Sequence, residues 1–225
     1  MAQSVRSDNN ARQPGKKQSV ALLYAASQSN ADMLHFTGVL VPDPFIAFAL
    51  NDRRIGIVNA LEYGRVKAES HLDEVLSYED WHERASKRLR NGRNPGVADV
   101  IDELAREYGI RGFRVADDFP AGVAFALQDR KLHIETAPGM LLPERARKSD
   151  EEARQIRAGN RASAAGFRVA EQILKAASVR NNGQLEYDGR TLTSGIVRRA
   201  IQKACLDKGA FASEVTYPVG LEAID

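Results

Sequence analysis

Histidines, carboxylates and a single thiol are the groups with which this chain could do chemistry. Its four histidines are His35, His71, His82 and His133. Only the stretch His71–Glu83 crowds imidazoles with carboxylates, and a metal there would need them to converge at about 2 Å from one ion. Their spacing fits no ligand pattern, and a strand between them would alternate their directions, so a solvated charged surface is the better reading. Cys205 lies on the apolar face of a helix and reads as an inert packed thiol rather than a nucleophile. Arg198, Arg199, Lys203 and Lys208 read as the solvated outer face of that helix. The sequence contains no G-x-x-x-x-G-K-[ST] loop, no G-x-G-x-x-G after a strand, no G-x-S-x-G, no H-E-x-x-H and no C-x-x-C. Nucleotide-binding, hydrolase-elbow and zinc-finger chemistry therefore has no motif behind it.

Composition narrows the class. The 225 residues hold 32 basic and 30 acidic side chains, a net charge of +2, and 43% are hydrophobic. That balance argues against nucleic acid as a partner, since phosphate binding needs a concentrated basic face. A lone cysteine excludes an internal disulfide and suits a reducing, cytoplasmic compartment. No apolar run approaches the roughly 18 residues of a membrane span, which predicts a chain with no membrane partner. Residues 1–18 are polar with scattered Arg and Lys and read as a disordered tail.

Patterning supplies the elements. Val20–Tyr24, Val39–Val41, Phe45–Leu50 and Ile55–Asn59 read as strands, the last two joined by a polar connection of hairpin length. Ala60–Glu69 reads as a helix and Val75–Tyr78 as a strand. Pro95 can open a helix at its first position; Val97, Val100, Ile101, Leu104, Ala105 and Tyr108 recur at three- and four-residue spacing, and Gly109 stops it. A strand at Phe113–Ala116, a helix at Pro120–Gln128 and a strand at Leu132–Thr136 complete an alternation that predicts a layered α/β domain.

Pro, Gly and charge cluster over Pro138–Arg147 and mark a boundary. Beyond it, Ser149 and Glu152 form a capping box. A long helix follows whose inner face is predicted as Ala153, Ile156, Asn160, Ala164, Phe167, Ala170, Leu174 and Ala177. Residues Ser178–Gly189 read as a polar loop. A second helix runs from Thr193 to Lys208, with Ile196, Val197, Ala200, Ile201, Ala204 and Cys205 inward and Gly209 as its stop. Val215–Val219 reads as a strand.

Two segments resemble a known family. Asp32-Met33-Leu34-His35-Phe36-Thr37-Gly38 is similar to the D-x-x-[YF]-[LF]-T-G turn of creatinase-like N-terminal domains. Lys148-Ser149-Asp150-Glu151-Glu152, with Ile156-Arg157, resembles the K-[ST]-x-x-E-I-x-x-[IM]-R opening of the adjoining pita-bread domain of aminopeptidase P, prolidase and creatinase. Gly189-Arg190-Thr191 before a helix, Gly209 after it and Val215–Gly220 repeat the family's order. The chain departs from it at Thr191-Leu192, where many members have Thr-Glu, and in the loop before Gly189.

The resemblance implies an α/β fold: a creatinase N-terminal-like layered domain with a mixed sheet at 19–143, then the first helices and strand of a pita-bread α+β domain at 148–225. It implies the N-terminal part of an Xaa-Pro aminopeptidase or dipeptidase-like metallohydrolase acting on peptides, and a homo-oligomer. Family members hold two divalent metals (Mn, Co or Zn) with two aspartates, a histidine and two glutamates. By position these would follow Asp225, so no residue here is assigned as a metal ligand or catalytic group, no cofactor is expected in this chain, and the chain alone is expected to be inactive. Asp32 is the one residue carried over, as a substrate-entrance or dimer contact; the competing reading is that it simply caps the helix or turn holding Met33–Phe36. A non-catalytic peptide- or protein-binding module and an unrelated α/β protein remain the competing readings.

Overall fold

The computed structural model describes residues 20–89 and 92–212. The predicted tail and the predicted strand at Val215–Val219 lie outside the described residues. The chain divides into two compact units, residues 1–146 and 147–225.

Unit 1 runs β1 (Val20–Ala25), α1 (Ala31–Thr37), β2 (Phe45–Leu50), β3 (Arg53–Val58), α2 (Ala60–Glu69), β4 (Glu74–Ser77), α3 (Tyr78–Arg88), α4 (Val97–Glu107), β5 (Gly112–Val115), α5 (Ala121–Asp129) and β6 (His133–Thr136). A 3-10 turn at Pro143–Ala146 ends it. The six strands form one mixed sheet in the order β4-β3-β2-β1-β5-β6. β2 is antiparallel to both its neighbours, whereas β1–β5, β5–β6 and β3–β4 are parallel. Five strands therefore point one way and β2 alone runs back.

Alternation along the strands builds a core on each face. Leu22, Ile46, Phe48, Ile55, Ile57 and Phe113 pack with Trp81, Ile101, Leu104 and Leu127 of α3, α4 and α5. Leu23, Phe45, Ala47 and Val58 pack with Met33 and Phe36 of α1 and Val66 of α2. The unit is thus the layered α/β sandwich expected, with the sheet between two helical layers.

Three local readings are corrected. Val39–Val41 is no strand: the Ser27 hydroxyl donates to the Val39 carbonyl and accepts from the Val41 amide, both at 2.7 Å, so one side chain satisfies backbone that a ladder would otherwise need. Pro95 precedes the helix rather than opening it; α4 is capped at Gly96, whose amide donates to Asp99 at 2.9 Å. α3 was not anticipated, yet Ser77 caps it by accepting from the Asp80 amide, and its acidic first turn and basic last turn suit the helix dipole.

Unit 2 contains α6 (Asp150–Ala176), β7 (Ser178–Val179), β8 (Leu185–Tyr187), β9 (Arg190–Thr191) and α7 (Ser194–Leu206). The capping box forms as read: Ser149 Oγ accepts from the Glu152 amide at 3.1 Å, and Glu152 accepts from the Ser149 amide at 2.7 Å. The predicted loop is instead a small antiparallel sheet, β7-β8-β9. Asp188 and Gly189 at φ 51° and 70° make its tight turn, the type I′ geometry that Asp-Gly favours.

The face predicted for α6 is also corrected. The helix buries Ala162, Ala165, Gly166, Ala170 and Ile173, while Phe167 stays 69% exposed and Ile156 and Leu174 about half exposed. α7 approaches over the small residues: a Cβ at Gly166 would lie 2.9 Å from Ile201 Cγ2 and 3.2 Å from Cys205 Sγ. Ile156, Phe167 and Leu174 fall within about 20° of one another at 100° per residue. They form a second apolar line, roughly a third of a turn away from the buried one. On α7, Val197, Ile201 and Cys205 are buried as expected, and Gly209 follows at φ 75°.

Candidate functional site

β1 and β5 are parallel neighbours whose following segments leave on opposite faces of the sheet. α1 packs into the core shared with α2, and α5 into the core shared with α3 and α4. Such a switch point opens a crevice beyond the carboxyl ends of the strands, where α/β sheets bind ligands. A cavity of ≈ 400 Å³ lies there, walled by Ser29–Asp32, Ala116–Asp118, Gly139–Leu141 and Arg145.

Asn30 organises one wall. Its Oδ1 caps α1 by accepting from the Met33 amide at 2.9 Å, and its Nδ2 donates to Asp118 Oδ2 at 3.0 Å, joining the loop after β5 to the start of α1. Asn30, and not Asp32, is therefore the cap. Asp32 sits in the first turn, where a carboxylate suits the dipole, and forms an ion pair with Arg145 from the 3-10 turn. Asp117 and Asp118 are exposed at the rim.

The far end of α1 explains the Thr-Gly of the motif. Gly38 stands at φ 72° and its amide donates to the Leu34 carbonyl at 2.7 Å, a left-handed C-cap. Thr37 Oγ1 donates to the Met33 carbonyl at 2.8 Å. A Cβ at Gly38 would also lie 2.5 Å from His71 Nδ1.

Chemically the recess is polar and anionic, with three carboxylates against one guanidinium. Ser29 donates to the Ala26 carbonyl, and among the described residues no imidazole or thiol lines the cavity. The arrangement can bind and orient, and it contains no nucleophile–base pair.

The other residues singled out in the sequence are scattered. His71 covers Gly38, His82 lies on α3 with its ring centroid 5.9 Å from that of Tyr78, His35 is in the last turn of α1 and His133 begins β6. Cys205 is buried and its thiol donates to the Ala162 carbonyl at 3.5 Å. Arg198, Arg199, Lys203 and Lys208 are exposed. Among the described residues, no three His, Cys, Asp or Glu side chains are grouped to hold a metal ion, and no helix is long and apolar enough to cross a membrane.

Asp32, singled out by its motif, lies in this cavity wall beside Asn30, Asp118 and Arg145, which the sequence did not single out. An Asn just before an apolar-periodic segment is a cap signal that could have found Asn30. Nothing local marks Arg145, whose partner is 113 positions away.

A charged knot lies elsewhere in unit 1. The Asp99 carboxylate is buried and accepts from Arg130 at 2.5 Å, Arg93 at 2.9 Å and the Gly96 amide at 2.9 Å. Burial alone would raise its pKa; the Arg130 and Gly96 hydrogen bonds and the charges of Arg130 and Arg93 outweigh that and hold it below the ordinary aspartate range.

No family model matches the chain, and no curated protein matches it. Solved structures do. An X-Pro aminopeptidase from Thermotoga maritima matches with a TM-score of 0.62 at 13% identity, covering 88% of this chain and 49% of its own. An Xaa-Pro dipeptidase from Bacillus anthracis matches with a TM-score of 0.60 at 14% identity, covering 89% and 47%. The prolidase from Pyrococcus horikoshii gives 0.57 at 13%, covering 84% and 44%. The chain spans about half the length of each. At these identities the likeness is one of fold, and it is the fold that the Asp32–Gly38 and Lys148–Arg157 segments resemble.

Proposed function

We propose that this chain is the front part of an Xaa-Pro aminopeptidase- or dipeptidase-like metallohydrolase, and that its 225 residues do not hydrolyse peptides by themselves. One observation carries the reading: the fold follows such peptidases over most of this chain but only about half of theirs. The two-metal donor set that the resemblance implies does not fit the residues described, since no three candidate ligands converge there. No hydrolytic step is therefore assigned to them. In this reading residues 19–143 form the creatinase N-terminal-like domain and 148–225 begin the pita-bread domain. Asp32 is a substrate-entrance or dimer contact, peptides are the substrates of a full-length form, two divalent metals serve it, and it is a cytoplasmic homo-oligomer.

The exposed line Ile156, Phe167 and Leu174 favours one second reading, a non-catalytic module that binds a peptide or protein. Assaying this chain and a longer version on Xaa-Pro peptides with added manganese or cobalt separates the two. Turnover by the longer version alone supports the peptidase. Turnover by these 225 residues overturns the assignment of the chemistry to other residues, and no turnover by either favours the binding module.

A further inference from the structure

We infer that β6 and the outer flank of α5 form the surface on which a second copy of this chain docks. The inference says which face joins the homo-oligomer proposed above and uses none of its peptidase chemistry. β6 is the last strand of its sheet, and His133, Glu135 and Thr136 are exposed. The His133 amide donates inward to the Arg111 carbonyl at 3.0 Å, and the Ala137 amide to the Val115 carbonyl at 2.8 Å. Alternation then turns the Ile134 and Thr136 amides outward, and trans peptides turn the Leu132, Ile134 and Thr136 carbonyls the same way. Such an edge is a template for another strand.

Register favours the chain itself as that strand. An antiparallel two-fold centred on Ile134 bonds the two Ile134 residues reciprocally and gives each Thr136 amide a Leu132 carbonyl of the other copy. It also sets each His133 imidazole opposite a Glu135 carboxylate, at the closely spaced positions where facing side chains meet. Centring on Glu135 or on His133 would instead oppose two carboxylates or two imidazoles. Centring on Thr136 would put Pro138, which has no amide hydrogen, opposite Ile134. Arg114 adjoins Glu135 in the ladder, yet among the described residues no ion pair joins them.

The helix above this edge agrees. Ala126 and Arg130 mark the flank of α5 that faces α4, since Arg130 reaches Asp99 at 2.5 Å. Ala121, Ala124, Phe125 and Gln128 lie within about 60° of the opposite direction at 100° per residue. That flank carries no charge, and Phe125 is 66% exposed. The two-fold that joins β6 to its copy lays the two flanks side by side, and Ala121 and Ala124 leave room for them to approach.

Sedimentation velocity on the full chain tests this, and the parent should dimerise reversibly. Thr136→Pro removes an outward amide, leaves the ladder to β5 intact, and should weaken association about tenfold or more. His133→Glu and Glu135→Lys each oppose like charges in both symmetric pairs and should also weaken it about tenfold. Together they restore opposite charges, and association should return to within about threefold of the parent. All three positions are exposed, so the core is untouched. A parent that stays monomeric at about 0.1 mM overturns the interface, as does a dimer that none of the single variants weakens. A double variant no tighter than either charge variant overturns the register. A failed Xaa-Pro assay leaves this inference standing, and a monomeric parent leaves the peptidase reading standing.

Discussion

Gly38→Ala separates two reasons for glycine at the end of α1. The left-handed backbone at φ 72° costs an ordinary residue about 1–2 kcal/mol. The added methyl would also meet the His71 ring at 2.5 Å. His71 cannot retreat through its backbone, because its amide donates to the Thr37 carbonyl at 2.7 Å. Its side chain is exposed and can rotate instead, for about 1 kcal/mol or less. The sum is roughly 1.5–2.5 kcal/mol, a fall of about 4–8 °C in melting temperature for a chain of this size. His71→Ala alone should be within about 0.5 kcal/mol of the parent. Urea unfolding of the parent, both single variants and the double gives the coupling. Gly38→Ala/His71→Ala should regain the steric share and leave about 1 kcal/mol or more of loss, the backbone share. Full recovery in the double variant would refute the backbone argument, and a Gly38→Ala effect below about 0.5 kcal/mol would refute both.

Two glycines on α6 should respond in opposite directions. Gly159→Ala meets nothing within 4 Å and should stabilise by about 0.5–1 kcal/mol, whereas Gly166→Leu drives into Ile201 and Cys205 and should cost about 1–3 kcal/mol; urea midpoints read both. Asp99→Asn keeps the shape and removes the charge, and should cost about 2–3 kcal/mol, since Arg130 and Arg93 retain some access to water. Because the folded pKa of Asp99 is depressed, its contribution is present above the ordinary 3.8 and is lost as pH falls through the folded value. The parent should lose stability on acidification more steeply than Asp99→Asn, and parallel pH profiles would contradict this. Phe167→Ser should reduce apolar-dye fluorescence at least roughly twofold with little change in urea midpoint. A parent that binds no dye and stays monomeric by light scattering would show that the α6 line is already covered.

What could be read from sequence was what is encoded locally. β2 and α2 lie where their patterns placed them because alternation and three-to-four spacing report which side meets the core. α3 escaped because only Trp81 and Ala85 of its eleven residues are buried, amid a crowd of charges that suggested surface. The face of α6 was misjudged for a physical reason. Counting apolar residues favours the large ones, but α7 selects the line of Ala and Gly where backbones can close. Asp188-Gly189 carried a hairpin signal that the surrounding polar residues masked. At the site, Asp32 was legible through its motif and Asn30 could have been through its cap position. Arg145 and the cavity depend on contacts between distant segments and leave no periodic trace.

The cavity itself follows from strand direction. Because β2 alone runs backwards, the segments after β1, β5 and β6 all emerge at one edge of the sheet, and those after β1 and β5 part to opposite faces. A gap between them is a consequence of topology whatever residues fill the loops. The loops then decide its chemistry, and here they supply carboxylates, an amide and a guanidinium rather than a nucleophile with its base. A recess so equipped offers hydrogen-bond and charge partners to a polar group. Unit 1 thus brings Asn30, Asp32 and Arg145 together at one recess, and the proposed peptidase reading assigns no bond-breaking step to the described residues.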